Sequence, residues 1–363
     1  MDAFAGERQF LDHLAPVWRL LPPQHRGRLF VAAPLHLRAL EMGLEAEAID
    51  AEALRRSSLP PKARPGDGPV AFVTSIGDTK IARRLGYRRF VFMEHGAGQA
   101  YIGDRDPMTQ RHPSYAGGLD RDDVGLFLVP NEYSAGLWRR AYPTARVDVV
   151  GCPKLDDLPL RTPGLGPTVA ISFHWPGFTC PEADTALGHY LRVLPELAAA
   201  FPGRVIGHAH PKADWPARLA RHYRRAGIPF VDDFGDVCRQ ADVYVCDNSS
   251  TIFEFAATGR PVVVLNSPRY RREVNHGLRF EPSAGCQLRQ GLHFCGAAHV
   301  GVQVDRPDEL VPGIGRALRD EPIDREARER ALESVYPIRQ GAGHAAAAAI
   351  TSWLASTTNQ AAA

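Results

Sequence analysis

Short apolar runs alternate along this chain with longer segments in which apolar residues recur at helical spacing. The runs at 29–32, 70–74, 89–93, 125–129 and 147–150 predict strands, and 35–43, 78–85 and 134–141 between them predict helices. A joint rich in proline and glycine follows at 162–167. The alternation then restarts. Strands are predicted at 168–173, 204–208, 229–231, 242–246 and 262–265, and helices near 182–201, 214–226, 249–258 and 306–319. Strands alternating with helices predict an α/β protein with parallel sheets and right-handed crossovers. Two such sets predict two Rossmann-like domains, 1–160 and 161–335, whose parallel sheets face a central cleft. An alanine-rich helix at 340–355 and a frayed tail complete a C-terminal piece, 336–363.

A chain of 363 residues suits two domains. The net charge is only +2, and each half carries a single excess positive charge. This disfavours a bulk electrostatic grip on nucleic acid. Arginine pairs at 83–84, 88–89, 139–140, 224–225 and 271–272 read first as solvated helix faces. The six cysteines, Cys152, Cys180, Cys238, Cys246, Cys286 and Cys295, form no C-x-x-C pair and no zinc-finger spacing. Cys238 and Cys246 read as small core residues. No secretory signal and no apolar stretch of membrane-spanning length is visible. A cytoplasmic location is expected, with peripheral contact at the inner membrane face left open.

Four segments carry candidate chemistry. In the first, the strand ending at Cys246 runs into Asp247-Asn248-Ser249-Ser250-Thr251 and then a helix bearing Glu254. Backbone N–H groups at a helix start suit a diphosphate, and a carboxylate one turn on suits ribose hydroxyls. The same Thr251-x-x-Glu254 spacing is also a capping box. In the second, His95-Gly96 follows a strand. A histidine there can take the proton of an acceptor hydroxyl, and glycine admits a substrate close to the backbone. Glu94 beside it can orient the ring or stand exposed. In the third, His208-Ala209-His210-Pro211-Lys212 ends another strand, and His208, His210 or Lys212 can neutralise a donor phosphate. A histidine pair without an acidic or cysteine cluster does not call for a metal. The fourth is Ser172-Phe173-His174-Trp175, whose His174 is expected to face the donor. No G-x-x-x-x-G-K-[ST], G-x-G-x-x-G or G-x-S-x-G occurs, which argues against P-loop NTPases, classical dehydrogenases and α/β-hydrolases.

In order, His95-Gly96, Gly151-Cys152-Pro153-Lys154-Leu155-Asp156, His210-Pro211, Asp247-Asn248-Ser249-Ser250, Phe253-Glu254 and Arg260-Pro261 resemble the landmarks of the CDP-glycerol glycerophosphotransferases. These are teichoic-acid polymerases of the GT-B type. The resemblance covers roughly residues 70–280. It implies a GT-B fold, His95 as the acceptor-side base, His210 as a donor-phosphate ligand, and Ser249 and Ser250 as the diphosphate turn. The chain departs from the family after His95-Gly96, where Ala97-Gly98-Gln99-Ala100-Tyr101 replaces a proline and a lysine; Tyr101 and Gly96 then belong to the acceptor side. The Glu254-to-Pro261 segment equally resembles nucleotide-sugar glycosyltransferases and UDP-sugar 2-epimerases. Asp104-Arg105-Asp106 resembles the GT-A metal motif but follows no strand, and reads as loop charge.

The expectation is therefore a transferase that moves a glycosyl or polyol-phosphate group from a nucleotide-diphosphate donor to a hydroxyl acceptor, a cell-envelope polymer or another glycan. His95 and His210 are the candidate catalytic residues. Ser249, Ser250, Thr251, Glu254, Lys212 and His174 are expected to bind the donor. Glu94, Gly96 and Tyr101 are expected to lie on the acceptor side. No metal and no resident cofactor are expected, the nucleotide donor being a substrate. Two alternatives stand beside this: a UDP-sugar 2-epimerase using Asp78, Glu94 or Asp247 as cleft carboxylates, and a non-catalytic nucleotide- or glycan-binding module.

Overall fold

The computed structural model describes residues 1–57, 68–97, 121–159, 166–176, 185–212, 214–247, 249–267 and 300–362. Tyr101, Asp104-Arg105-Asp106, Cys180, Cys286, Cys295 and Asn248 lie outside them. The chain divides into two compact units. Described residues up to Asp157, together with those from Ile338 on, form the first, and those from Leu158 to Pro337 form the second.

The first unit is built on seven parallel strands: β1 (Asp2–Ala5), β2 (Leu29–Ala32), β3 (Glu47–Ile49), β4 (Val70–Val73), β5 (Arg89–Met93), β6 (Val124–Val129) and β7 (Arg146–Val149). Their order is β3-β2-β1-β4-β5-β6-β7. The central strand β4, Val-Ala-Phe-Val, is apolar along its whole length, as suits a strand covered on both faces. One face is covered by α1 (Arg8–Leu20), whose Leu11, Leu14 and Val17 are fully buried. The helices α2 (His36–Glu41) and α3 (Ala51–Arg56) are short. On the other face lie α4 (Ile76–Arg84) and α5 (Glu132–Ala141). Trp138 of α5 stacks on Phe127 of β6 at 4.5 Å between ring centroids. Both helices start where a side chain takes a free N–H. Ser75 Oγ accepts from Asp78 N, and Asn131 Oδ1 accepts from Ser134 N.

The second unit has five parallel strands: β8 (Val169–Phe173), β9 (Val205–Ala209), β10 (Val243–Cys246), β11 (Val262–Leu265) and β12 (Val302–Val304), in the order β12-β11-β10-β8-β9. Its helices are α6 (Leu187–Tyr190), α7 (Leu194–Ala200), α8 (Trp215–Arg225), α9 (Phe234–Gln240), α10 (Thr251–Ala256), α11 (Leu310–Arg319) and α12 (Pro322–Val335). The last helix, α13 (Ala342–Ala362), belongs to the first unit, where Ala346, Ile350 and Trp353 join the core beside α1.

Helix α8 packs tightly on β9 because Gly207 leaves room for Tyr223. A Cβ at Gly207 would lie 2.3 Å from the Tyr223 ring. The Tyr223 hydroxyl also shares its one proton between the carbonyls of Ile171 and His208. Gly207→Ala is therefore expected to cost about 1–3 kcal/mol through overpacking, read as a lower urea midpoint at unchanged slope.

The predicted strands at 29–32, 89–93 and 262–265 match β2, β5 and β11 residue for residue. The segment 229–231 forms only a single bridge, Gly207 to Phe230. β1, β3, β12, α1, α3, α9 and α12 were not predicted. β1 reads Asp-Ala-Phe-Ala, without a β-branched residue, and becomes a strand because it lies between β2 and β4.

Candidate functional site

In an open parallel sheet, ligands bind beyond the strand C-termini where strand order reverses. That point falls between β1 and β4 in the first unit and between β8 and β10 in the second. The predicted site residues cluster after these strands and their neighbours β5 and β9.

In the first unit, His95 is exposed at the end of β5. Its Nδ1 lies 2.7 Å from the Thr74 carbonyl oxygen. A carbonyl can only accept, so Nδ1 carries the proton, and Nε2 is the basic nitrogen of the neutral ring. Phe10 meets this ring edge-on at 4.7 Å, and His13 is 6.2 Å away between centroids. The Cys152 sulfur in turn lies 3.8 Å from His13 Nδ1. Gly96 has φ of +86°, which only glycine adopts without strain, and this turns the chain directly after His95. The Glu94 carboxylate accepts the Trp138 indole N–H at 3.2 Å, and the oxygen at His95 Nδ1 is that of the Thr74 carbonyl.

Asp78 is fully buried in the first turn of α4. One carboxylate oxygen accepts the Gly6 N–H at 2.9 Å, and the other meets no donor. Burial pushes its carboxyl up to about 7, against the opposing hydrogen bonds from Ser75 and Gly6. The folded protein thus holds this proton more tightly than the unfolded chain, whose value is 3.8. The resulting stabilisation is complete below the unfolded value and is lost as pH rises to about 7. Asp78→Asn keeps the acceptor for Gly6 and cannot ionise. Urea unfolding between pH 5 and 8 should find the variant gaining on the wild type as pH rises.

In the second unit, His174 and His210 meet edge-to-face at 5.3 Å between ring centroids, after β8 and β9 respectively. Trp175 lies 6.4 Å from His210, and the Lys212 ammonium stands 6.0 Å over the Trp175 ring. His174, Trp175, His210 and Lys212 are half-buried. His174 gives its Nδ1–H to the Trp175 carbonyl at 2.8 Å, which makes Nε2 its basic nitrogen. The fold separates His208 from this group. It is buried, its Nδ1 bonds the Val231 carbonyl at 2.9 Å, and its ring packs on Phe234.

Asp247 links these loops. Its Oδ1 accepts the His174 N–H at 2.6 Å, and its Oδ2 accepts the Ala186 N–H at 2.7 Å and the Thr185 hydroxyl at 3.3 Å. The carboxylate thereby fixes the backbone that carries His174. Its signal in the sequence is an acidic residue directly after an apolar strand, but the partners are more than sixty positions away.

The Ser249–Ser250–Thr251 turn opens α10 as expected, with two differences. Thr251 is the first helical residue rather than the cap, so the capping box does not form. Its hydroxyl bonds Ser249 Oγ at 2.8 Å and Tyr244 Oη at 3.0 Å. The N–H groups of Thr251, Ile252 and Phe253 already have partners within the turn. An anion here would meet hydroxyls as much as backbone donors. Glu254 is buried, 1% exposed.

No family profile and no curated protein matches the chain. Solved structures do. The wall teichoic acid polymerase TagF is 11% identical, over 99% of this chain and 89% of that one, with a TM-score of 0.59. A TagF variant soaked with CDPG matches over the same shares, also at 11% identity, with a TM-score of 0.60. UDP-GlcNAc 2-epimerase from Neisseria meningitidis, bound to UDP-GlcNAc, is 12% identical over 98% of this chain and 100% of that one, with a TM-score of 0.53. The fold is GT-B. The GT-B relatives are enzymes of two reaction types, one a polymerase and one an isomerase. Among the described residues, no helix is long and apolar enough to cross a membrane.

Proposed function

We propose that this chain is a transferase that takes a polyol-phosphate or glycosyl group from a nucleotide-diphosphate donor and passes it to a hydroxyl acceptor. The observation that carries the reading is the gathering of His174, Trp175, His210 and Lys212 at the ends of β8 and β9, beside the switch point of the second sheet. Lys212 places positive charge, and the two imidazoles when doubly protonated add N–H donors, where the departing nucleotide phosphate gains charge, CMP in polyol-phosphate transfer and a nucleoside diphosphate in glycosyl transfer. Ser249 and Ser250 add hydroxyls, and Glu254 is assigned to the ribose. This assigns charge neutralisation to side chains of the chain itself. In the first unit, His95 is the general base, with Nε2 as the proton acceptor and Thr74 holding the tautomer.

The epimerase reading needs carboxylates able to move a proton at carbon. Asp247 spends both oxygens on backbone and hydroxyl donors, and Glu94 accepts the Trp138 indole. Asp78 is the one observation that favours epimerisation, a buried carboxyl that titrates near neutrality. Product analysis separates the two. Incubation with CDP-glycerol and a glycerol-phosphate primer should release CMP and lengthen the primer. Incubation with UDP-GlcNAc in D2O should leave the sugar undeuterated. Deuterium at C2 with no primer extension would establish the epimerase instead.

A further inference from the structure

Most surface arginines of this protein hold a carboxylate. Arg19 pairs with Asp157, Arg139 with Glu132, Arg306 with Asp308 and Arg316 with Asp324. Helix α8 differs. Arg218, Arg221, Arg224 and Arg225 are exposed, and among the described residues none of them forms an ion pair. Arg218 lies 5.4 Å from the Trp215 ring. From 215 to 231 the sequence contains no Asp or Glu. The local field registers on a neighbour. His222 is held below its ordinary value by partial burial and by Arg225, Arg221 and Arg218.

Such a stripe is costly without a counter-charge, because like charges three and four residues apart on a helix repel. Arg218, Arg221 and Arg225 follow one another at three- and four-residue steps, about 4.5 and about 6 Å apart along the axis. Guanidinium groups bind phosphate bidentately. The large apolar side chains of α8, Trp215, Leu219 and Tyr223, all point into the core. Its wet face therefore has nothing to insert into a bilayer and no aromatic anchor for a protein partner. A flexible chain of regularly spaced phosphates fits this face. The stripe begins one to two turns beyond Lys212, in the segment that leaves the donor cluster.

We propose that the arginine face of α8 is a docking track for a linear polyol-phosphate polymer, the acceptor chain of the reaction, held away from its reacting end. This rests on the transferase reading above and names its acceptor.

The test uses the full chain, a fluorescent glycerol-phosphate decamer and an R218Q/R221Q/R225Q variant. Fluorescence anisotropy at 50 and 200 mM salt should find wild-type binding that weakens with salt, with a log–log slope of about −3 for four neutralised phosphates. The variant should bind at least tenfold more weakly at low salt, with a slope near −1, while its affinity for CDP-glycerol stays unchanged. The wild-type His222 ring, followed by NMR, should titrate at higher pH when the decamer is bound. Equal decamer binding by variant and wild type would overturn the proposal. So would tighter arginine-dependent binding of phosphatidylglycerol vesicles or duplex DNA, which would assign the face to a membrane or to nucleic acid. Failure of the wild type to bind CDP-glycerol would sink the transferase reading separately, because the decamer measurement uses no donor.

Discussion

His95→Ala lowers turnover by about two to four orders of magnitude and leaves donor affinity unchanged, the loss expected for removal of a positioned general base. The asymmetry follows from where the residue stands. His95 belongs to the first unit, at the end of β5, while the His174–His210–Lys212 group proposed to bind the donor is in the second. The Thr74 carbonyl sets the proton on Nδ1, so the neutral ring offers Nε2 to an acceptor hydroxyl. His95→Gln tests the assignment more finely, since it preserves polarity and removes basicity. It should be as slow as the alanine variant. Steady-state rates from pH 5 to 9, with donor affinity measured in parallel, check this. Unchanged turnover in His95→Ala with intact donor binding would mean that the enzyme does not use this histidine as its base.

Asp247→Asn has the second large effect, on stability and donor binding together. The carboxylate accepts two backbone N–H groups and one hydroxyl at a fully buried position. An amide keeps one oxygen acceptor and turns an NH2 group toward a donor. One backbone N–H then loses its partner inside the protein. Hydrogen bonds to charged acceptors contribute more than neutral ones, and a stranded buried donor adds its desolvation cost, so a loss of about 2–4 kcal/mol is expected. Urea unfolding measures it. Because the His174 backbone is released, the donor KM should rise more than kcat falls. Hydrogen exchange gives an independent readout. The His174 and Ala186 amides should lose protection in the variant while amides in the first unit keep theirs.

Much of the architecture was legible because buried parallel strands are continuous apolar runs. Val262–Leu265 is four aliphatic residues in a row, and no other assignment suits it. What escaped were elements whose identity depends on neighbours. β1 has weak strand propensity and is made a strand by pairing on both sides. Arg8–Leu20 contains Pro16 and Asp12 within its apolar pattern, which obscured a helix that covers one face of the first sheet. That omission hid Phe10 and His13 as companions of His95. At the second site, His174, His210 and Lys212 were each visible as polar residues after a strand. Their convergence was not, since β8 and β9 become adjacent only in the sheet. The role of Asp247 was hidden for the same reason. The Ser249–Thr251 turn was located correctly, but its hydrogen bonds to Tyr244 and within itself depend on side-chain placement that spacing does not encode.

We propose that the second unit binds a nucleotide-activated donor through the His174–His210–Lys212 group. Calorimetric titration of CDP, UDP, GDP and CDP-glycerol into the wild type, His210→Ala and Glu254→Ala tests it most directly. Micromolar binding of CDP-glycerol to the wild type is expected, weakened at least tenfold by either substitution, about 1.4 kcal/mol or more. Binding of no nucleotide by the wild type, or equal binding by all three proteins, would contradict it.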